Sequence, residues 1–373
     1  MTAQALPPHL RADREVHVVI SILSGQHKAQ EYYDEKLKPL LDQHEIKYTM
    51  HTTKSAKTII ELTESVFIKN ARKGTKQTII LLSGDGGVVD IVNTLTSLLM
   101  RGTDDIRPPS IFFKPVLVLF PMGTANALAW STGVAKDPLK VLMEGIPRSL
   151  PSFEVTFSPG AKLVVNEGQD REAISESEAE ETTLYGAVVF SWGLHASLVA
   201  VSDTTEYRKH GLDRFKMAAQ KLLTQNHTYK GVVKFRQPAE NWQDLGGAKT
   251  DRRHEHSYIL ATMVSNLEEH FCISPASEPW DGSLRLVAIG PEPPNEVIRL
   301  LGLAYHGGAH VNEPQVTYKN IDGLRIEFEE DDEQWRMVCV DGKIVAVEER
   351  GWAEARRLPG YGVDGRRVVE LVS

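Results

Sequence analysis

The sequence predicts two successive folds in one chain: an α/β domain built on a parallel sheet over residues 14–150, and a mostly antiparallel β domain over residues 151–357. Three observations carry this reading. Apolar β-rich runs alternate four times with amphipathic helical stretches between Glu15 and Gly145, the period then changes to short strands divided by turns, and 373 residues exceed the usual span of one domain.

Taken in order, "VHVVISIL" precedes a helical run around "KAQEYYDEKLKPLLDQH", and "IKYTMHTT" precedes "KSAKTIIELTESVFIKNARKG". "QTIILLSG" leads into a helix with Val88, Val89, Ile91, Val92 and Leu95 on one side, and "PVLVLFPMG" leads into "TANALAWSTG". Strands that each feed a helix form a parallel sheet covered on its faces, and ligands then sit beyond the carboxyl ends of the strands. The loops of interest are those after Ile22, Leu82 and Phe120.

Beyond "MEGIPRSLPSF", short strands are read at "PSFEVTFS", "AKLVVNE", "TTLYGAVVFSWG", "GVVKFRQ", "HSYILATMVSN", "SLRLVAIG", "QVTYKN", "GLRIEFEE" and "RMVCVDGKIVAVEE". One strong helix interrupts them near "TEYRKHGLDRFKMAAQKLLT". Two stretches near residues 166–183 and 237–256 read as mobile insertions, the first crowded with Glu, and the ending "GYGVDGRRVVELVS" reads as a short tail strand or a partly disordered segment.

Composition narrows the function classes. A formal charge of −8 argues against general nucleic-acid binding, which needs a basic surface to displace counterions. Two cysteines, Cys272 and Cys339, provide no disulfide framework; both are expected in the core, and a reducing compartment follows. Neither a secretory leader in "MTAQALPPHLRADRE" nor a bilayer-spanning apolar run is read, so the expectation is a cytoplasmic protein whose membrane contact is peripheral.

The loop Ser83, Gly84, Asp85, Gly86, Gly87 suits a nucleotide. Missing side chains let a polyphosphate approach the backbone, and the amides of a helix N-terminus point at negative charge. Asp85 is anomalous there, because a carboxylate repels phosphate unless it binds a cation or accepts a proton from a nucleophile, which makes it the candidate catalytic residue. The competing reading is that Asp85 caps the helix. "SGQHKAQ" again puts a glycine between strand and helix, with Lys28 available for phosphate, and "PMGTANALA" places Gly123 and Thr124 at the turn and Asn126 in the first helical turn. All three loops fall on one edge of the inferred sheet.

In this order, "SGQHKA", "SGDGG", "PMGTANALA", "EYRKHGLDRF", "WDGSLRLV" and "CVDGK" resemble the diacylglycerol kinase catalytic family, especially its sphingosine and ceramide kinase branch, from about Val16 to Arg357. Gly-Asp-Gly and Pro-x-Gly-Thr-x-Asn belong to a superfamily that includes NAD kinases, and "TEYRKHGLDRF" narrows it toward the sphingosine type. The resemblance implies an ATP-binding first domain, a β-sandwich second domain carrying a lipid pocket, and an active site between them. On that basis Asp85 is the general base toward a primary hydroxyl, and Ser24, Gly25, Thr53, Ser83, Gly84, Gly86 and Gly123 line ATP, with Gly87, Thr124 and Asn126 in the same loops. Arg208 and Arg214 hold the triphosphate, as guanidinium forks six residues apart on a helix are able to do. Asp341 lies near the nucleotide, and Mg²⁺ bridges the phosphates. The resemblance also implies a lipid substrate met at a membrane surface, with no nucleic-acid partner, and allows a homodimer.

Departures from the pattern are specific. Ser21 and Ile22 replace Asn-Pro, His27 replaces a loop glycine, and Lys343 reverses the charge of a glutamate. The acids that recognise a lipid amine in sphingosine kinases are missing after Trp192; Ser197 and Val199 stand near those places and Asp203 is the first acid, so Trp192, Ser197 and Asp203 are the lipid-side candidates. The expected activity is an ATP- and Mg²⁺-dependent lipid kinase acting on a sphingoid base, ceramide or diacylglycerol. The alternatives are an NAD kinase-like enzyme and a catalytically weak nucleotide- or lipid-binding regulator. His306 and His310, four apart across two glycines, and "HEH" at 254–256 are expected to be structural or solvated rather than metal ligands.

Overall fold

A computed structural model describes residues 6–100, 112–174, 180–211, 213–246, 252, 254–358 and 367–373. The chain divides into two compact units, one of Met1–Pro151, Leu267–Glu269 and Pro359–Ser373, the other of Ser152–Asn266 and His270–Leu358.

The first unit is an α/β fold around a six-stranded, mostly parallel sheet. β1 (Glu15–Ile20), β2 (Thr49–Thr52), β3 (Gln77–Ser83) and β4 (Val116–Pro121) run parallel in the order β2-β1-β3-β4. β3 is buried at every position, which accounts for its continuous apolar run: a central parallel strand is covered on both faces. The register aligns the strand ends, Ile20 pairing with Thr52 and Leu82, and Ser83 with Pro121. All four following loops therefore open at one level, at a sheet whose strand order reverses between β1 and β3, where such folds place ligands. The tail ends as a strand, Glu370–Val372, parallel to β4, while Pro147–Ser149 closes the edge antiparallel to it; residues 359–366 of the tail lie outside the described residues.

The helical run after β1 passes from Ala29–Tyr32 through a wider turn at Tyr33–Leu37 into Lys38–Gln43, where Pro39 has no N–H for the regular ladder. A second wide turn, Thr63–Phe67, follows the Thr63 hydroxyl, which donates to the Ile59 carbonyl at 2.7 Å.

The second unit is a β-sandwich of an eight-stranded and a seven-stranded antiparallel sheet. Its core interleaves Phe190, Trp192, Ile259 and Leu286 of one sheet with Phe153, Val155, Leu324 and Ile326 of the other. Val189–Gly193 is buried throughout: the sandwich covers one face, and on the other the helix Leu194–Ser202 packs its Ala196 against Cys339 and Ile344 of the adjoining strands.

Four sequence expectations change here. The strong helix is broken: Leu194–Ser202, Thr205–Arg208 and Asp213–Gln225 follow one another, and Gly211 adopts φ +55° in the gap before the third. The insertion near 166–183 contains the strand Asp170–Ala173, paired with Lys162–Val165, and only 175–179 lie outside the described residues. Within 237–256, Gln243 pairs with Phe235 and the Trp242 ring receives the Arg236 guanidinium, so this stretch folds onto the sheet edge. Cys339 is buried as expected but Cys272 is only half-buried.

Candidate active site

Three glycines bring the loops together. A Cβ on Gly25, whose φ is +51°, would lie 2.3 Å from the Met122 carbonyl oxygen, and one on Gly84 would lie 2.9 Å from the Gly123 Cα. Conversely, a Cβ on Gly123 would meet the Gly84 Cα at 2.7 Å. The space of these missing side chains is thus used by loop-on-loop packing. Gly87 is similarly filled, by the Ser83 hydroxyl at 2.5 Å from a built Cβ. Gly86 alone of this loop's glycines is exposed with nothing within 4 Å, and it lies in the first turn of the Asp85–Met100 helix. Here the bare backbone and helix-start amides suited to an anion coincide.

Asn126 fixes the third loop. It adopts φ +56°, its Oδ1 accepts the Gly123 N–H at 2.8 Å, and its Nδ2 donates to the Gly123 carbonyl at 2.8 Å. Its amide is therefore turned to its own loop, and Asn126 caps the Ala127–Thr132 helix without a side-chain bond to it. That task falls to Asp85, whose Oδ1 accepts the Leu128 N–H at 3.1 Å. The capping reading of Asp85 is met on a neighbouring helix, and this bond orients a half-buried carboxylate beside Gly86.

The remaining first-unit candidates lie along the same edge of the sheet. Ser83 is buried at the end of β3, and Thr53 is buried after β2 with its N–H on the Ile20 carbonyl. Ser24 donates its hydroxyl to Ser21 at 2.7 Å, and Thr124 is exposed. His27 takes φ +61°, a conformation that favours the glycine it replaces, with Nδ1 3.1 Å from the Ile22 carbonyl.

In the second unit the arginines meet at a carboxylate. Arg208 directs Nε and Nη2 to Asp203 Oδ1 at 3.0 and 2.8 Å, and Arg214 Nη1 stands 3.6 Å from the same oxygen. They converge across a break between two helices, not along one helix. Asp203, a lipid-side candidate in the sequence, is paired with both arginines. Trp192, another lipid-side candidate, is fully buried in the sandwich core with its indole N–H on the Trp335 carbonyl, and Ser197 is buried under the Tyr229 hydroxyl at 2.8 Å. Neither offers a surface to a lipid.

Asp341 is held by the backbone. Asp341 and Gly342, at φ +49° and +86°, form the two-residue turn between strands Met337–Val340 and Lys343–Ala346. The Asp341 carboxylate accepts the N–H groups of Ala187, Val188 and Val189 at 2.6, 3.0 and 2.5 Å, and burial pushes its pKa up to about 6 against those bonds. Its oxygens serve neighbouring backbone. The sequence reading missed Glu167, at the tip of the Lys162–Val165 and Asp170–Ala173 hairpin, whose Oε1 lies 3.7 Å from Arg208 Nη1; the only local signal was the turn-forming Asn-Glu-Gly. His310 is buried with Nε2 on the Ile273 carbonyl, His306 is exposed, and among the described residues no three His, Cys, Asp or Glu gather as a metal site.

Comparison with known proteins agrees with this architecture. Residues 15–155 match the family model of the diacylglycerol kinase catalytic domain. Over 362 residues the chain is 22% identical to Sphingosine kinase 2 of Arabidopsis thaliana, covering 88% of this chain and 68% of that protein. Its fold is similar to the crystal structure of a diacylglycerol kinase from Bacillus anthracis str. Sterne, at TM-score 0.54 and 13% identity over 97% of each chain. A second structure from that bacterium gives TM-score 0.59 at 14% identity over 97% of this chain and 98% of its own. Residues 15–155 thus match the diacylglycerol kinase catalytic domain, and over most of its length the chain is similar to a sphingosine kinase.

Proposed function

We propose that the protein is an ATP-dependent lipid kinase that phosphorylates a primary hydroxyl of a sphingoid base, ceramide or diacylglycerol. The observation that carries this reading is the oriented Asp85 carboxylate beside the exposed backbone of Gly86, at a helix start on the carboxyl edge of a parallel sheet. The helix-start amides receive phosphate oxygens. Asp85 takes the hydroxyl proton, the hydroxyl oxygen bonds to the γ-phosphorus, and the bond to the β,γ-bridging oxygen breaks to release ADP. Arg208 and Arg214 neutralise charge on the phosphates. Mg²⁺ entering with ATP would supply neutralisation of phosphate charge; such an ion takes few protein ligands, and Asp85 is the carboxylate of this loop that would hold it.

Within the lipid class, neutral acyl species are favoured. The helix Leu194–Ser202 contains no carboxylate, and Asp203, the next acid, is paired with arginines, so a cationic amine lacks its partner. The lipid is met at a membrane surface by peripheral association; among the described residues no helix is long and apolar enough to cross a membrane. The family match favours this reading over an NAD kinase-like one. His27, strained where glycine is usual, favours a second reading, a regulator that binds nucleotide without turnover.

Transfer of radiolabelled γ-phosphate from ATP·Mg²⁺ to micellar sphinganine, sphingosine, ceramide and diacylglycerol, with NAD as soluble control, tests the proposal. Labelled ceramide or diacylglycerol, absent with Asp85→Asn, is expected. ATP bound but transferred to nothing supports the regulator, and near wild-type turnover by Asp85→Asn removes the general-base role.

A further inference from the structure

The two arginines present an electrostatic problem. Like charges a few ångströms apart repel by about 1 kcal/mol in water and several times that near a protein surface, so two guanidinium groups do not gather unaided. Asp203 supplies the opposite charge through one oxygen. Oδ1 accepts from both Nε and Nη2 of Arg208, at 3.0 and 2.8 Å, and lies 3.6 Å from Nη1 of Arg214. Asp203 sits just ahead of the Thr205–Arg208 helix, where its N–H bonds the Val199 carbonyl and fixes the backbone that carries it.

The side on which Asp203 binds matters. It occupies the Nε edge of the Arg208 fork and leaves the Nη1 end facing Glu167, at 3.7 Å, too long for a hydrogen bond. Glu167 is brought there at a conformational cost. Asn166, Glu167 and Gly168 take φ values of +50°, +56° and +87° in succession, two of them non-glycine residues in a region that costs such residues roughly 1 kcal/mol or more each. Gln169 Nε2 ties this tip to Thr205 Oγ1 at 2.9 Å, and Asn166 Nδ2 ties it to Asp170 at 2.9 Å. The hairpin tip thus holds a second carboxylate against the open end of the same arginine.

We propose that Asp203 is the positioning residue of a phosphate-receiving arginine pair, turning the Nη1 end of Arg208 outward and gathering Arg214 beside it, while Glu167 is the weak counter-ion that incoming phosphate displaces. The inference rests on the proposed role of Arg208 and Arg214 toward ATP. It assigns Asp203 to the nucleotide and gives the two carboxylates opposite signs: losing Asp203 weakens nucleotide binding, and losing the Glu167 charge strengthens it.

The test is ATP affinity by calorimetry, with KM for ATP and for lipid, on the full chain carrying Asp203→Ala, Asp203→Asn, Glu167→Gln or Arg208→Ala. Because these ion pairs are half-exposed, the expected change for Asp203→Ala is modest, a roughly fivefold rise in ATP Kd and KM with lipid KM unchanged. Asp203→Asn keeps an acceptor oxygen for Arg208 and falls between wild type and alanine, and it also serves should the alanine variant fold poorly. Glu167→Gln lowers ATP Kd about two- to threefold, the release of a weak competing pair. A purely structural Asp203 would change melting temperature without separating the two KM values. If Arg208→Ala weakens ATP while Asp203→Ala and Asp203→Asn bind it as wild type, the positioning role is overturned and the arginine assignment stands. If Arg208→Ala leaves ATP affinity unchanged, the arginine assignment fails and this inference fails with it.

Discussion

Alanine at Gly86 and at Gly123 separates the two uses of glycine at the sheet edge. An added Cβ at Gly86 meets nothing within 4 Å, and the residue lies in a regular helix. Glycine to alanine in such a place stabilises by about 0.4–1 kcal/mol, mostly by restricting the unfolded chain, which is a rise of about 1–4 °C in melting temperature for a unit of this size. At Gly123 the same methyl would stand 2.7 Å from the Gly84 Cα and 2.8 Å from Asn126 Oδ1. Neither neighbour has freedom to yield, one being backbone and the other an amide bonded twice to its loop. Overpacking of this kind costs roughly 1–3 kcal/mol, and the melting temperature falls by several degrees. Thermal melts measure the first effect and calorimetric ATP titration the second. If phosphate lies against the bare backbone of Gly86, the Gly86→Ala variant melts higher yet binds ATP at least about tenfold more weakly, a loss near 1.4 kcal/mol. A variant that is more stable and binds ATP as wild type refutes the phosphate role of this helix start. An unchanged melting temperature for Gly123→Ala refutes the packing argument.

Three further outcomes follow from the same geometry. Asp341→Asn replaces an acceptor oxygen by an NH₂ facing the amides of Ala187, Val188 and Val189, so it destabilises by about 1–3 kcal/mol in urea unfolding while the folded protein keeps its ATP affinity; a tenfold affinity loss would restore Asp341 to the nucleotide. His27→Gly relieves a left-handed non-glycine residue and raises stability by about 1 kcal/mol, read from the same melts; a decrease would show that the ring bond to the Ile22 carbonyl outweighs the strain. Burial lowers the pKa of both His17 and His256 to about 4, from 6.5, so the folded state binds fewer protons than the unfolded one. Their stabilisation is complete above pH 6.5 and is lost as pH falls toward 4, by up to roughly 3 kcal/mol each. Asp341, raised to about 6 from 3.8, opposes this as a single group, its folded state retaining a proton that the unfolded chain releases. The urea midpoint is therefore lower at pH 5 than at pH 7.5, and equal midpoints would contradict the buried neutral state of the two histidines.

What the sequence made legible depends on how far away each residue's partner lies. β1, β3 and β4 read clearly because strands covered on both faces are apolar at nearly every position, a property each strand carries by itself. The strand Trp352–Arg357 was invisible because its polar residues satisfy one another across the sheet: Glu354 is buried against Arg325 at 3.0 Å and also pairs with Arg356, while Trp352 stacks under Arg325. The helix break near the arginines was masked by a helical pattern that continues through Gly211. Gly84 and Gly123 were recognisable as loop glycines, but that each makes room for the other follows only from the pairing of β3 with β4.

The two aspartates show why a motif alone misassigns roles. Asp85 and Asp341 each precede a glycine and each resemble a family motif, yet their surroundings differ through partners far along the chain. Asp341 meets three successive amides more than 150 residues earlier, which use three of the roughly four lone-pair sites a carboxylate offers and leave it little capacity for a nucleotide. Asp85 is oriented by the amide of Leu128 at the start of another helix, beside the exposed backbone of Gly86. The same Asp-Gly pair is thus a fastening between strands in one unit and a candidate base in the other. A family motif predicts the residue type at a position; the donors that surround the carboxylate decide whether it is able to react.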